Sequence, residues 1–200
     1  ILDVGVGLGR LLAKINQDVE KFGVDIDINQ LVKSKDSINV CLSKVEEIPY
    51  IDELFDIIIC TDVLEHVIDL NLAIKNIIDC LKLNGKLIIR VPFRENLSNY
   101  LDPSYPYKFA HLRNFDENSL QLLFNKIFDM NVLDISYCGY VNSRTKVRFF
   151  NEMKIPQKAI SVIINITSFF SKSLEMKLIK YFILPIEINM VLEKKCNTKK

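Results

Sequence analysis

The sequence has no C-x-x-C pair and no even set of cysteines; Cys41, Cys60, Cys80, Cys138 and Cys196 are five scattered thiols. That pattern excludes a disulfide framework and a cysteine-based zinc site, and it suits a reducing cytoplasm. No metal is expected. No stretch reaches the roughly 20 apolar residues that span a bilayer, and the chain shows neither internal repeats nor a low-complexity linker. No secretory signal is visible, and no starting Met precedes Ile1, so a segment upstream of Ile1 is expected.

What is present suits one globular domain: 200 residues, 49% of them hydrophobic. A net charge of +1 conceals a division along the chain. Residues 1–141 carry 14 Lys+Arg against 21 Asp+Glu, a net of −7, whereas residues 142–200 carry 12 against 4, a net of +8. A basic end of this kind favours an anionic surface or partner. It is not interleaved like a nucleic-acid module, so DNA and RNA are not favoured.

The chain opens on Ile1-Leu2-Asp3-Val4-Gly5-Val6-Gly7-Leu8-Gly9, a strand running into three glycines at alternate positions. Such a turn brings backbone close to a small ligand without a Cβ in the way. Arg10 to Asn16 has helical spacing, which would put a helix N-terminus at the end of the turn. A dinucleotide fingerprint needs G-x-G-x-x-G, but the third glycine falls at Gly9 and position 10 is Arg. A hydride-transfer cofactor is thereby disfavoured.

Strands and helices then alternate. Lys21 to Asp25 and Ser37 to Leu42 are candidate strands, with a helix over Ile28 to Lys35 between them. Leu54 to Cys60 is a near-continuous apolar run, as in a strand buried on both faces. Leu70, Ile74, Ile77, Ile78 and Leu81 give helical spacing over Asp69 to Leu83, and Gly85 suits a left-handed cap. Lys86 to Val91 is the next strand, Asp116 to Phe128 a helix capped by Asn114 or Asp116, Met130 to Tyr137 a strand, and Ile186 to Leu192 the last strand. This rhythm predicts an α/β, doubly wound, mostly parallel sheet.

Two segments depart from the alternation. Residues 92–115 form a long connection whose aromatics (Phe93, Tyr100, Tyr105, Tyr107, Phe109, Phe115) make either an acceptor pocket or a satellite core. Residues 142–185 read as a basic, apolar helical insertion before the last strand. It is either a lid packed on the domain or, through residues 154–184, an element lying on an anionic membrane. The expected organisation is a core over 1–141, the insertion over 142–185, and the last strand and tail over 186–200.

The opening D-x-G-x-G-x-G string resembles motif I of the class I S-adenosylmethionine (SAM)-dependent methyltransferases. Glu46-Glu47-Ile48-Pro49, Phe55 to Ile59 and Asp62-Val63-Leu64-Glu65-His66-Val67 are similar to that family's stretch around its third and fourth strands. Leu81 to Ile89 resembles its turn into the fifth strand, with Leu-Asn-Gly where Pro-Gly-Gly is usual. His111-Leu112-Arg113-Asn114-Phe115 resembles a late His-x-x-x-Phe segment. The likeness covers residues 1–140 and the last strand. It implies a Rossmann-like methyltransferase fold of seven strands, the last antiparallel, with SAM as cofactor.

Carried over, the resemblance implies that Asp3, Gly5, Gly7 and Gly9 wrap the methionine portion. Asp25, at the end of the second strand, would take the ribose; the alternative is a cap for the next helix, a role that Asp27 could fill instead. Ile26 would pack on adenine. Lys44 and Val45 fall at the adenine edge, where Lys44 cannot accept a hydrogen bond as the family's usual Asp does. Cys60 and Thr61 would lie beside the sulfonium. His66 is the candidate base for a hydroxyl acceptor, or with Glu65 a brace for the following helix. Tyr105, Tyr107 and His111 are candidate acceptor-binding residues, His111 alternatively serving the start of the next helix.

The function expected is methyl transfer from SAM to a small-molecule, lipid or carbohydrate acceptor, in the cytoplasm or at the inner face of its membrane. The alternative is a catalytically degenerate SAM-binding or scaffold protein of the same fold.

Overall fold

Strand β1 (Leu2–Val4) is buried along its whole length, Asp3 included, because it is paired on both sides. In the computed structural model, which describes residues 1–16, 18–34, 38–105, 109–138 and 186–196, it lies between β2 (Phe22–Asp25) and β4 (Phe55–Thr61), parallel to each. The others are β3 (Asn39–Leu42), β5 (Leu81–Pro92), β6 (Met130–Cys138) and β7 (Glu187–Lys194). They complete a seven-stranded sheet of order β3-β2-β1-β4-β5-β7-β6. β7 alone runs antiparallel, against both β5 and β6, as the resemblance implied. The chain reverses its direction of progress across the sheet between β1 and β4. In doubly wound sheets that switch point opens a crevice at the C-terminal strand ends.

Apolar periodicity explains the packing. The run Ile58-Ile59-Cys60 is buried because β4 has neighbours on both edges and cover on both faces. Helix α2 (Leu70–Cys80) turns Ala73, Ile74, Ile77 and Cys80 inward, and each fully buried Ile contributes about 1.5–3 kcal/mol of transfer free energy. Phe22, Tyr50 and Phe55 meet edge to face, with ring centroids 5.1–5.8 Å apart. Asp69 caps α2 by accepting from Leu72 N at 3.0 Å. Neither Glu65 nor His66 is needed for that role.

Several boundaries differ from the sequence reading. The helix after the glycine turn shrinks to a 3-10 turn over Leu12–Lys14. Helix α1 spans only Ile28–Leu31. Helix α2 stops at Cys80 and β5 starts at Leu81, before Gly85 is reached. Pairing with β4 jumps from Phe55↔Leu81 to Ile57↔Lys86, so the intervening residues of β5 fold out as a bulge. The left-handed residue there is Asn84 (φ +62°), Asn being one of the side chains that tolerates this region. Gly85 is required for a different reason: a Cβ on it would stand 2.8 Å from Lys82 O. Helix α3 (Glu117–Gln121), capped by Asp116 in a box with Ser119, continues as a wider π-helical segment over Leu122–Ile127.

Among the described residues no helix is long and apolar enough to cross a membrane. The insertion over 142–185 and Tyr107 lie outside the described residues.

Candidate cofactor and acceptor site

The three glycines all adopt positive φ: +79° at Gly5, +50° at Gly7 and +68° at Gly9. Two of them are also held by close neighbours. A Cβ on Gly5 would meet Val63 Cγ2 at 2.4 Å, and one on Gly7 would meet Gln30 Oε1 at 2.9 Å. The turn is therefore pressed between the segment after β4 and helix α1. Gly5 N and Val6 N both donate to Val24 O, at 2.8 and 3.1 Å, which ties the turn to the end of β2.

Asp25 makes the second tie. Its Oδ2 accepts from Gly7 N at 2.8 Å and its Oδ1 from Asp27 N at 2.9 Å. It is not the cap of α1; Asp27 fills that role by accepting from Asn29 N. Asp3 sits behind the turn with 3% of its surface exposed, and its Oδ1 has no hydrogen-bond partner. Burial, reinforced by the nearby Asp25 charge, pushes the Asp3 carboxyl up to about 7. An orphaned, ionisable oxygen at this position points to a polar or cationic ligand group.

The flanks of the turn hold the other expected residues. Ile26 is 74% exposed immediately beyond Asp25. Ser43 N donates to Asp25 O at 3.0 Å, which brings Lys44 and Val45 alongside; Val45 is buried and Lys44 points to solvent. Cys60 is fully buried, and burial pushes its thiol far up, so it is inert as a nucleophile. Thr61 ends β4 half-buried. The next residue, Asp62, is left-handed (φ +58°) and paired with Arg90, Nε to Oδ1 at 3.2 Å.

The segment after Asp62 meets the long connection, and here the sequence reading missed most partners. Leu112 N donates to Glu65 O at 2.8 Å. The Arg113 guanidinium donates to the carbonyls of Val67 and Ile68, clamping this segment. His66 Nδ1 lies 3.3 Å from Ala110 O, and its ring meets His111 edge to face with centroids 4.6 Å apart. His111 Nδ1 bonds the Glu95 carboxylate, which also accepts from Tyr100 OH at 3.0 Å. Tyr105 packs edge to face on Tyr100, centroids 5.1 Å apart. His111 therefore belongs to this cluster and not to the start of α3. Phe93 and Phe115 are buried and bridge each other, so they belong to the core.

Glu65 is 1% exposed, and its Oε2 has no hydrogen-bond partner. Burial, with the charges of Asp62 and Glu95 adding to it, pushes its carboxyl up to about 7. Burial and the neighbouring His111 lower the pKa of His66, favouring the neutral ring.

A three-glycine turn at the switch point of a sheet of this order, with one antiparallel strand, defines a class I methyltransferase fold. Residues 2–89 match a family described as a methyltransferase domain. Among curated proteins, one from Methanocaldococcus jannaschii, itself uncharacterized, is 33% identical over 97 residues, covering 48% of this chain and 42% of its own. The chain spans about half the length of the curated relatives it matches. A SAM-dependent methyltransferase from Archaeoglobus fulgidus superposes with a TM-score of 0.64 at 19% identity, over 96% of this chain and 85% of that one. The [4+2]-cyclase SpnF gives 0.62 at 18% identity, over 98% and 74%. At these identities the likeness is one of fold.

Proposed function

We propose that this chain moves a methyl group from SAM to a small-molecule, lipid or carbohydrate acceptor. The observation that carries the reading is the Gly7 N to Asp25 bond of 2.8 Å at the switch point, beside the orphaned Asp3 oxygen. The residues present fit the cofactor. Gly5, Gly7 and Gly9 offer backbone without a Cβ to its methionine portion. Asp3 offers an unengaged oxygen for a cationic group. Each Asp25 oxygen accepts one N–H and keeps capacity for a ribose hydroxyl. Ile26 gives an exposed apolar face for adenine, with Val45 and Lys44 at its edge and Cys60 and Thr61 at the sulfonium end.

When bound, SAM supplies a methyl already activated on sulfur. The protein's own work is positioning and exclusion of water. On the acceptor side stand His66, His111 and Tyr105. With a proton on Nδ1 donated to Ala110 O, His66 keeps a lone pair on Nε2 to take the proton of an acceptor hydroxyl. The net charge of +8 over 142–200 supports a lipid-linked acceptor and peripheral contact with the inner face of the membrane through 154–184. The scattered cysteines support a cytoplasmic setting.

Lys44 favours a second reading, a degenerate SAM-binding or scaffold protein, because it removes an acceptor from the adenine edge. A typical hydrogen bond contributes only about 1 kcal/mol, so the loss weakens a site without abolishing it. Calorimetry with SAM and its demethylated product, paired with a methyl-transfer screen, separates the readings. Binding with transfer supports the enzyme, and binding without any transfer supports the scaffold. No binding removes the enzyme and leaves only a scaffold that does not hold SAM.

A further inference from the structure

We propose that Glu65, His66 and His111 bind one divalent first-row transition-metal ion of the zinc type. One ligating atom from each side chain lies within 4.8 Å of the others. Ligands about 2.1 Å from a tetrahedral ion stand about 3.4 Å apart, so small side-chain rotations close the set around it.

Features of the cluster beyond its spacing point the same way. Glu65 Oε2 is buried and unpartnered, which is costly unless a cation or donor completes it. Both histidines are presented through the same tautomer: Nδ1 of His66 faces the Ala110 carbonyl, and Nδ1 of His111 faces the Glu95 carboxylate. With Nδ1 protonated against these oxygens, each ring leaves its Nε2 lone pair free. A carboxylate behind a ligating histidine is the usual outer partner in such sites, orienting the ring and raising its basicity. Glu95 is itself held by Tyr100, and the Arg113 clamp on Val67 and Ile68 fixes the segment that carries Glu65 and His66.

Two imidazoles and one carboxylate select zinc-like ions over Mg2+ and Ca2+, which prefer oxygen ligands throughout. Three protein ligands leave at least one position open. An acceptor oxygen there would be acidified by the ion, a step that rests on the methyl-transfer reading, whereas ion binding does not. The ion would occupy the His66 lone pair otherwise available to an acceptor proton, so the two roles of His66 exclude each other.

The test is titration of the whole chain with Zn2+ by calorimetry and with Co2+ by absorption, with no cofactor present. One equivalent is expected to bind, with the Co2+ spectrum of nitrogen and oxygen ligation and no thiolate charge-transfer band. His66→Ala and His111→Ala should each weaken binding at least 100-fold. Glu95→Gln, which leaves all three ligands in place, should weaken it about 10- to 100-fold. Binding unchanged in a folded His66→Ala/His111→Ala double variant would overturn the proposal. So would a thiolate signature, which would assign the ion to a cysteine, or no binding at all.

Discussion

Replacing Asp3 with Asn isolates the cost of keeping a carboxyl behind the glycine turn. The Asp3 carboxyl is raised from 3.8 to about 7, mainly by burial and secondarily by Asp25. Between those values the folded chain holds a proton that the unfolded chain has released. Stability therefore falls as pH rises from about 4 to about 7, and it levels off above. A shift of about 3 units at 1.36 kcal/mol each gives a loss of about 4 kcal/mol across that window. Asn has nearly the same shape and does not titrate. Its buried amide adds an offset of about 1–3 kcal/mol, but that offset does not change with pH. Glu65 titrates in both proteins and cancels in the difference. Urea unfolding of the two proteins at a series of pH values gives the comparison. The variant should gain about 4 kcal/mol on the native chain between pH 4 and pH 7. A difference that stays constant over that range would refute the burial argument for Asp3.

Gly5→Ala combines a strained positive φ with a Cβ 2.4 Å from Val63 Cγ2, and it should cost about 1–3 kcal/mol in thermal unfolding and abolish SAM binding. An unchanged Tm would remove the argument for steric closure at that glycine. Peripheral membrane contact is checked by sedimentation with anionic liposomes. The native chain should pellet with them and a Lys172→Glu/Lys177→Glu/Lys180→Glu variant should not; no binding by the native chain sinks that proposal.

Local chemistry made much of the fold around the glycine turn legible in the sequence. The alternate glycines, the acid ending β2 and the apolar run of β4 each announce themselves within a few residues, and a mostly parallel sheet follows from the alternation of strands and helices. Element ends were less legible, because tertiary contacts decide them. Helix α2 yields to β5 at Cys80, since Leu81 pairs with Phe55 long before Gly85 can act as a cap. The helix expected after Arg10 is reduced to one 3-10 turn, leaving only Leu12 of that stretch fully buried. Least legible was the His66–His111–Glu95 cluster, whose members lie on separate segments joined only by folding. The Asp62 to His66 string offered a hint in its adjacent Glu and His, but nothing in it reveals that Glu65 is buried without a partner.

The central claim, that the glycine turn and Asp25 form a SAM site, is tested most directly by calorimetry of the native chain and Asp25→Ala with SAM. The account predicts one equivalent bound by the native chain and at least a 10-fold loss in the variant, the equivalent of about 1.4 kcal/mol. Equal binding by both proteins, or none by the native chain, would contradict it.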